Sequence, residues 1–304
     1  MNPSPFKSGF VAVVGRPNVG KSTILNALLG QKVAIVSPRP QTTRRRQLGI
    51  LTIENAQIIF VDTPGIHRPK HALDKTMQAV VIEVIADADV ILWLTDVSEP
   101  PTLEDKRIAE TIAKHASKTP VVLALNKSDR LKPKDVLRNS DAFRALVPNA
   151  EWMLTSATRG DNLDKIVPML VACLPEGPQY YDAEDITDFN LRDLAAELIR
   201  EAALAALRDE VPHGIAVEIE EFKEPEGKAA HIGAVIYVER ESHKGIVIGK
   251  KGDMLKAIGT QARKEIETQL EGPVFLQLHV KVKADWRSND REVRGLGYGQ
   301  TDDE

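Results

Sequence analysis

The stretch Phe10-Val11-Ala12-Val13-Val14-Gly15-Arg16-Pro17-Asn18-Val19-Gly20-Lys21-Ser22-Thr23 decides the fold. Its first half is a short unbroken apolar run, the pattern of a strand buried on both faces of a parallel sheet. Its second half matches G-x-x-x-x-G-K-[ST], the pattern of a phosphate-binding loop when it lies between a strand and a helix. Glycines there let backbone N–H groups turn toward phosphate oxygens without Cβ clashes, and a helix starting near Gly20 points its positive end at the anion. Lys21 supplies a point charge for phosphate, and Ser22 a hydroxyl suited to Mg²⁺.

Moving outward, further apolar runs at 58–62, 90–95, 121–126 and 151–155 read as parallel strands, and 48–53, which alternates, as an edge strand. Helical spacing fills 20–29, 73–86, 103–115, 134–146 and 163–174 between them. This alternation predicts an α/β domain with a mostly parallel, doubly wound sheet. Ligands in such sheets bind at the carboxyl ends of the strands. Two more motifs fall at those ends. Asp62-Thr63-Pro64-Gly65 closes the 58–62 strand, and Asn126-Lys127-Ser128-Asp129 closes the 121–126 strand. A carboxylate at Asp129 can accept hydrogen bonds from both the ring N–H and the exocyclic amine of guanine, a pair adenine does not offer. Asp62 suits a metal held through water, and Gly65 lets its N–H approach a terminal phosphate. Ser156-Ala157-Thr158 ends the last strand, where it can support the base from its other side.

In this order and spacing the four motifs resemble the P-loop GTPases. The resemblance makes 40–46, Pro40-Gln41-Thr42-Thr43-Arg44-Arg45-Arg46, the first switch loop, with Thr43 favoured over Thr42 as the Mg²⁺ ligand. The predicted catalytic set is Lys21, Asp62, Gly65 and Thr43, and the metal set Ser22, Thr43 and Asp62. Ile66 follows Gly65, where Ras-like enzymes carry a glutamine that orients the attacking water. A slow intrinsic rate follows. The chain is similar here to the GTPase subgroup with a hydrophobic residue at that place, and the resemblance implies a K⁺-binding role for Asn18.

The α/β pattern is expected to span 1–178, with an acidic linker at 179–190 and a second domain at 191–304. The second domain reads as a long amphipathic helix at 191–210, strands at 215–222 and 231–240, a helix pair around Gly249 and Gly252, and a last strand at 273–284. Ile246-Val247-Ile248-Gly249-Lys250-Lys251-Gly252 lies where the paired helices meet. Within this α–β–β–α–α–β order it resembles the type II KH fold, an α+β domain whose glycine loop clamps the backbone of about four nucleotides. Lys250 and Lys251 would supply charge, and Ile246, Val247 and Ile248 an apolar floor. The segment 240–264 holds seven basic residues against two acidic ones, inside a chain of net charge −4. The tail from 287 to 304 reads as polar and only partly ordered.

A P-loop GTPase domain followed by a type II KH domain resembles the Era family. Stretches 239–249 and 280–287 carry that resemblance further. It implies a GTP-hydrolysing switch, in complex with GTP or GDP, that binds the 3′ end of 16S rRNA and the small ribosomal subunit during assembly. It also implies a cytoplasmic monomer with peripheral access to the inner face of the membrane. The alternative is a structural RNA-binding assembly factor whose GTPase activity is vestigial. With 304 residues, 42% hydrophobic and 28% charged, the chain is long and apolar enough for real cores. One cysteine, Cys173, excludes a disulfide framework and multi-cysteine metal sites. No apolar run approaches the roughly 18 residues of a membrane span, and the first nine residues lack a signal-peptide pattern.

Overall fold

The computed structural model describes residues 5–36, 43–66, 68–225 and 229–299. They form two compact units: Met1–Lys70 with Asp74–Asp188, and His71–Leu73 with Phe189–Glu304.

The first unit is built on β1 (Lys7–Val14), α1 (Lys21–Leu29), β2 (Gln47–Ile53), β3 (Ala56–Asp62), α2 (Ala72–Asp87), β4 (Val90–Asp96), α3 (Leu103–His115), β5 (Val121–Asn126), α4 (Val136–Arg144), β6 (Glu151–Leu154) and α5 (Leu163–Cys173). The strand order is β2-β3-β1-β4-β5-β6. Among the described strands of this sheet only β2 runs antiparallel, paired with β3 at one edge. Strand alternation splits the core in two. Ala12, Val14, Ile59, Trp93 and Leu123 face one side, packed with Val81, Ile85, Ile108 and Phe143 from the helices. Val11, Val13, Phe60, Leu92 and Ala124 face the other, packed with Ile24, Leu25, Ile166 and Leu170. Each wholly buried side chain of this size contributes about 1.5–3 kcal/mol against exposure, so apolar burial on both faces holds the sheet and its strand ends in place.

Two boundaries differ from expectation. The helix expected at 134–146 opens as a 3-10 turn at Pro133–Asp135 and becomes α-helical only at Val136. More consequentially, the stretch expected as a linker at 179–190 is bonded to the first unit as far as Asp188. The buried Gln57 side chain accepts the N–H groups of Tyr180 (2.8 Å) and Tyr181 (3.0 Å) and donates to the Tyr181 carbonyl (2.9 Å). Ile50 N donates to the Ile186 carbonyl (2.8 Å), Thr187 Oγ1 donates to the Leu48 carbonyl (2.8 Å), and Leu48 N donates to Asp188 Oδ1 (3.2 Å). The edge strand β2 has outward N–H and C=O groups that β3 cannot pair. Residues 186–188 pair them.

The second unit contains α6 (Leu191–Ala206), β7 (Ala216–Lys223), β8 (Ala230–Val238), α7 (Glu241–Ile248), α8 (Asp253–Leu270), β9 (Val274–Val282) and α9 (Asp290–Gly295). Asn190 caps α6, accepting from Asp193 N at 2.8 Å. The helix stops at Ala206, short of the expected 210, and a 3-10 turn at Val211–Gly214 leads into the sheet. The sheet order is β7-β8-β9, antiparallel between β7 and β8 and parallel between β8 and β9. Helices α6 and α8 pack on each other and on the sheet. The tail corrects the expectation of partial order as far as residue 299. Trp286 is fully buried, its indole N–H donates to the Gly214 carbonyl (2.9 Å), and its ring stacks on Tyr298 at 5.7 Å. Val293, Leu296 and Tyr298 are buried beside it. Residues 300–304 lie outside the described residues.

Candidate functional site

The carboxyl ends of β1, β3, β4 and β5 and the loop after β6 converge on one rim of the first sheet. From β1 the chain turns through Gly15-Arg16-Pro17-Asn18-Val19 into α1. Gly20 precedes that helix at φ +105°, where a Cβ would sit 2.5 Å from the Asn126 amide nitrogen. Only glycine fits. Asn18 also takes a positive φ, 64°, and Val19 packs into the core. Lys21 is almost fully buried, its ammonium donating to the carbonyls of Gly15 (3.1 Å) and Arg16 (3.3 Å). Burial lowers its pKa to about 8, against the pull of Asp62. The cleft beside it is lined by Pro17, Asn18, Ser22, Thr23, Thr43 and Gly65.

Three oxygens meet there. Ser22 Oγ lies 3.1 Å and Thr43 Oγ1 3.0 Å from Asp62 Oδ2, and the two hydroxyls are 3.2 Å apart. Burial raises the Asp62 pKa, with Lys21 and the two hydroxyls opposing it. This donor set of hard oxygens fits Mg²⁺, which takes few protein ligands and completes its shell with water and phosphate. Among the described residues no group of three His, Cys, Asp or Glu could hold a metal on its own. Thr42 lies outside the described residues. Thr63 and Pro64 are buried, Thr63 bonding the Val13 carbonyl at 2.8 Å. A Cβ on Gly65 would meet Pro17 backbone at 2.7 Å, so the two loops touch. Ile66 packs into the hydrophobic core.

On the other side of the rim, Asn126 joins three loops. Its amide donates to the Val19 carbonyl (2.7 Å), and its oxygen accepts from Ala157 N (3.0 Å). Ser128 N bonds the Thr155 carbonyl (3.0 Å). Ser156 Oγ donates to Asp129 Oδ1 (2.7 Å) and lies 3.3 Å from the Thr158 hydroxyl. Asp129 is thus aimed by a hydroxyl from the neighbouring loop.

Sequence reasoning missed a further group, at the end of β4 and on the segment after it. Asp96 binds the Lys127 ammonium at 2.7 Å. Burial works against its charge, but Lys127 and Ser98 outweigh it and hold the carboxyl below the usual range. Glu99 binds Arg16 at 2.5 Å, with Asp105 at 3.4 Å. Asp96 ends a strand that is apolar from Val90 to Leu94 and lies level with Asn126, but no local pattern in the sequence links it to Lys127.

In the second unit, Gly249 and Gly252 flank the loop at φ +75° and +84°. A Cβ on Gly249 would come within 2.8 Å of Met254 N, whereas one on Gly252 would meet nothing within 4 Å. Lys250 and Lys251 are exposed. Val247 is fully buried in the core and offers no surface, which removes it from the expected apolar floor. Ile246 is 48% exposed and Ile248 partly so.

Comparison with known proteins agrees with both halves. The family described as 50S ribosome-binding GTPase matches residues 10–127, and the KH domain family matches 210–287. The chain is therefore a P-loop GTPase domain followed by a KH domain. The GTPase Era of Ruminiclostridium cellulolyticum is 46% identical over 293 residues, covering 96% of this chain and 98% of that protein. Era of Geobacter metallireducens is 45% identical, covering 98% and 100%. A crystal structure of Era with MgGDPNP and nucleotides 1506–1542 of 16S ribosomal RNA superposes with a TM-score of 0.93 at 45% identity, covering 97% of this chain and all of that one. A variant of Aquifex aeolicus Era bound to GDP·AlF4⁻ gives 0.92 at 44%, with the same coverage. The chain belongs to the Era family of GTPases.

Proposed function

We propose that this protein is a GTP-hydrolysing switch that binds the 3′ end of 16S rRNA and acts in assembly of the small ribosomal subunit. The observation that carries the reading is the convergence of Lys21, Ser22, Thr43 and Asp62 in one cleft, on the same rim as the Ser156–Asp129 pair. The Era structure with MgGDPNP and 16S rRNA supports the ligands.

Residues 15–20, Pro17 excepted because it has no N–H, would present backbone N–H groups to the phosphates, and Lys21 would neutralise charge on the terminal ones. Ser22, Thr43 and Asp62 would hold Mg²⁺, which when bound offsets the charge developing between the last two phosphates. The Gly65 N–H would face the terminal phosphate, and Thr63 keeps that loop anchored on the Val13 carbonyl. Asn126 locks the loops, Lys127 and Ser128 frame the base, and Asp129 accepts its N–H groups with Ala157 and Thr158 alongside. Ile66 is aliphatic and buried, so it cannot orient water. Hydrolysis is intrinsically slow, and K⁺ at Asn18 is the device we infer in place of the glutamine. Lys250 and Lys251 grip RNA phosphate between Gly249 and Gly252, and Ile246 and Ile248 give unstacked bases an apolar surface.

A cytoplasmic monomer with peripheral access to the membrane belongs to this reading, its membrane part supported by the family resemblance alone. Among the described residues no helix is long and apolar enough to cross a membrane. The rival, a structural RNA-binding factor with vestigial GTPase activity, is disfavoured by the completeness of the cleft. Single-turnover GTP hydrolysis with and without a 16S 3′-end RNA separates them: measurable hydrolysis that RNA alters supports the switch, and none in either condition supports the rival.

A further inference from the structure

The end of β4 and the segment following it carry residues outside all four nucleotide motifs, yet they hold two of those motifs. Strands β4 and β5 pair in parallel with Asp96 level with Asn126, and Val97 N bonds the Asn126 carbonyl at 2.9 Å. This pairing delivers the Asp96 carboxylate to the base loop. One oxygen takes the Lys127 ammonium at 2.7 Å; the other accepts from Ser98 Oγ (2.5 Å) and Ser98 N (3.2 Å). Asp96 is therefore fixed on its own element before it grips its partner. The segment is stiffened further along by the Thr102–Asp105 capping box.

Lys127 needs such a grip. Its backbone is left-handed, φ 62°, a conformation that costs free energy for any residue with a Cβ. Its side chain is long and rotamer-rich, and an untethered lysine is ordered only when a ligand arrives, at the expense of affinity. The ion pair is partly buried on both sides, at 22% and 12% exposure, so water screens it less than a surface pair.

We propose that Asp96 is a positioning residue for guanine-nucleotide binding, which pre-sets the Lys127 side chain in the base loop before the nucleotide enters. The proposal rests on the assignment of residues 126–129 as the base loop. The Asp96–Lys127 pair involves none of the Ser22, Thr43 and Asp62 oxygens that bond one another, so its effect is expected on affinity and not on the hydrolytic step.

A double-mutant cycle on the full-length protein tests this, reading GDP and GTP affinity by a fluorescent nucleotide and the rate constant by single-turnover hydrolysis at saturating GTP. Asp96→Ala is expected to weaken both affinities about tenfold, in line with loss of a hydrogen bond to a charged group. The rate constant at saturation stays within about twofold, since remote binding loss appears in KM. Asp96→Asn keeps the side-chain shape and guards against misfolding; it is expected to weaken binding about threefold or more with an unchanged melting temperature. In a Lys127→Met background, Asp96→Ala should add nothing. Unchanged affinity in Asp96→Ala, or full additivity in the double variant, overturns the proposal. If Lys127→Met itself leaves affinity unchanged, the base-loop assignment falls and takes this inference with it.

Discussion

Lys21 is the residue on which the proposed phosphate site turns, and its burial makes a pH prediction. Its pKa in the unliganded fold is about 8, below the ordinary 10.5. The unfolded chain therefore binds more protons between those values, so this group's contribution to unliganded stability rises with pH across that window. Nucleotide affinity runs the opposite way. Phosphates favour the ammonium, so binding above about pH 8 must take up a proton. GDP affinity should fall by roughly tenfold between pH 7.5 and 9, measured below the ionisation of guanine's own ring N–H. A flat profile would show that Lys21 is already charged throughout. Base choice is the role proposed for Asp129. Asp129→Asn should lose about 2–3 kcal/mol of guanine affinity and gain affinity for xanthine nucleotides, whose carbonyl can accept from the new amide. Competition binding with both bases checks it, and equal guanine affinity would remove Asp129 from base reading. At this scale the motif residues were legible, because glycine, lysine and carboxylate are required by the chemistry at fixed spacing. Asp96 and Gln57 were not, because their partners lie 31 and 124 residues away and no local pattern links them.

At the scale of elements, the apolar runs gave the strands because buried parallel strands have few alternatives. The edge strand β2 was legible from its alternation, but not what covers it. Residues 179–190 read as a linker because their composition is acidic. Their backbone groups nevertheless complete the edge of a sheet, which composition does not reveal. The tail misled for the same reason: glycines and charges surround Val293, Leu296 and Tyr298, which are buried. Trp286→Ala should destabilise the second unit by about 3–5 kcal/mol, since it opens a cavity and leaves the Gly214 carbonyl unpaired. Urea unfolding followed by tyrosine and tryptophan fluorescence reads that loss; a change under about 1 kcal/mol would mean the tail contributes no core. The glycine loop yields a cleaner functional variant. Gly252 has open space around it but a left-handed backbone, so Gly252→Asp adds charge and modest strain without a clash. RNA affinity should drop, and the wild-type log–log salt slope, near −3 if about four phosphates are neutralised, should become shallower. A melting temperature near that of the parent excludes unfolding, and unchanged RNA affinity would show that the backbone does not pass Gly252.

For the whole molecule, two units of different layer type carry the two proposed sites: a doubly wound sheet whose strand ends gather the motif residues, and a three-stranded sheet whose helix pair opens into a basic glycine loop. The sequence order of motifs was enough to read both fold classes, since each unit is continuous in its motif-bearing part. What couples them was not legible, because coupling is a difference between two states and a sequence describes neither. The account's central claim is that the nucleotide state governs RNA binding. The direct measurement is the affinity of the full-length protein for a 16S 3′-end RNA, with Mg²⁺, in GDP and in a non-hydrolysable GTP analogue. The account predicts tighter binding with the GTP analogue by at least about fivefold, the lower end of typical coupling between sites, and by linkage the RNA should tighten the analogue by the same factor. Equal RNA affinity in the two nucleotide states would contradict it.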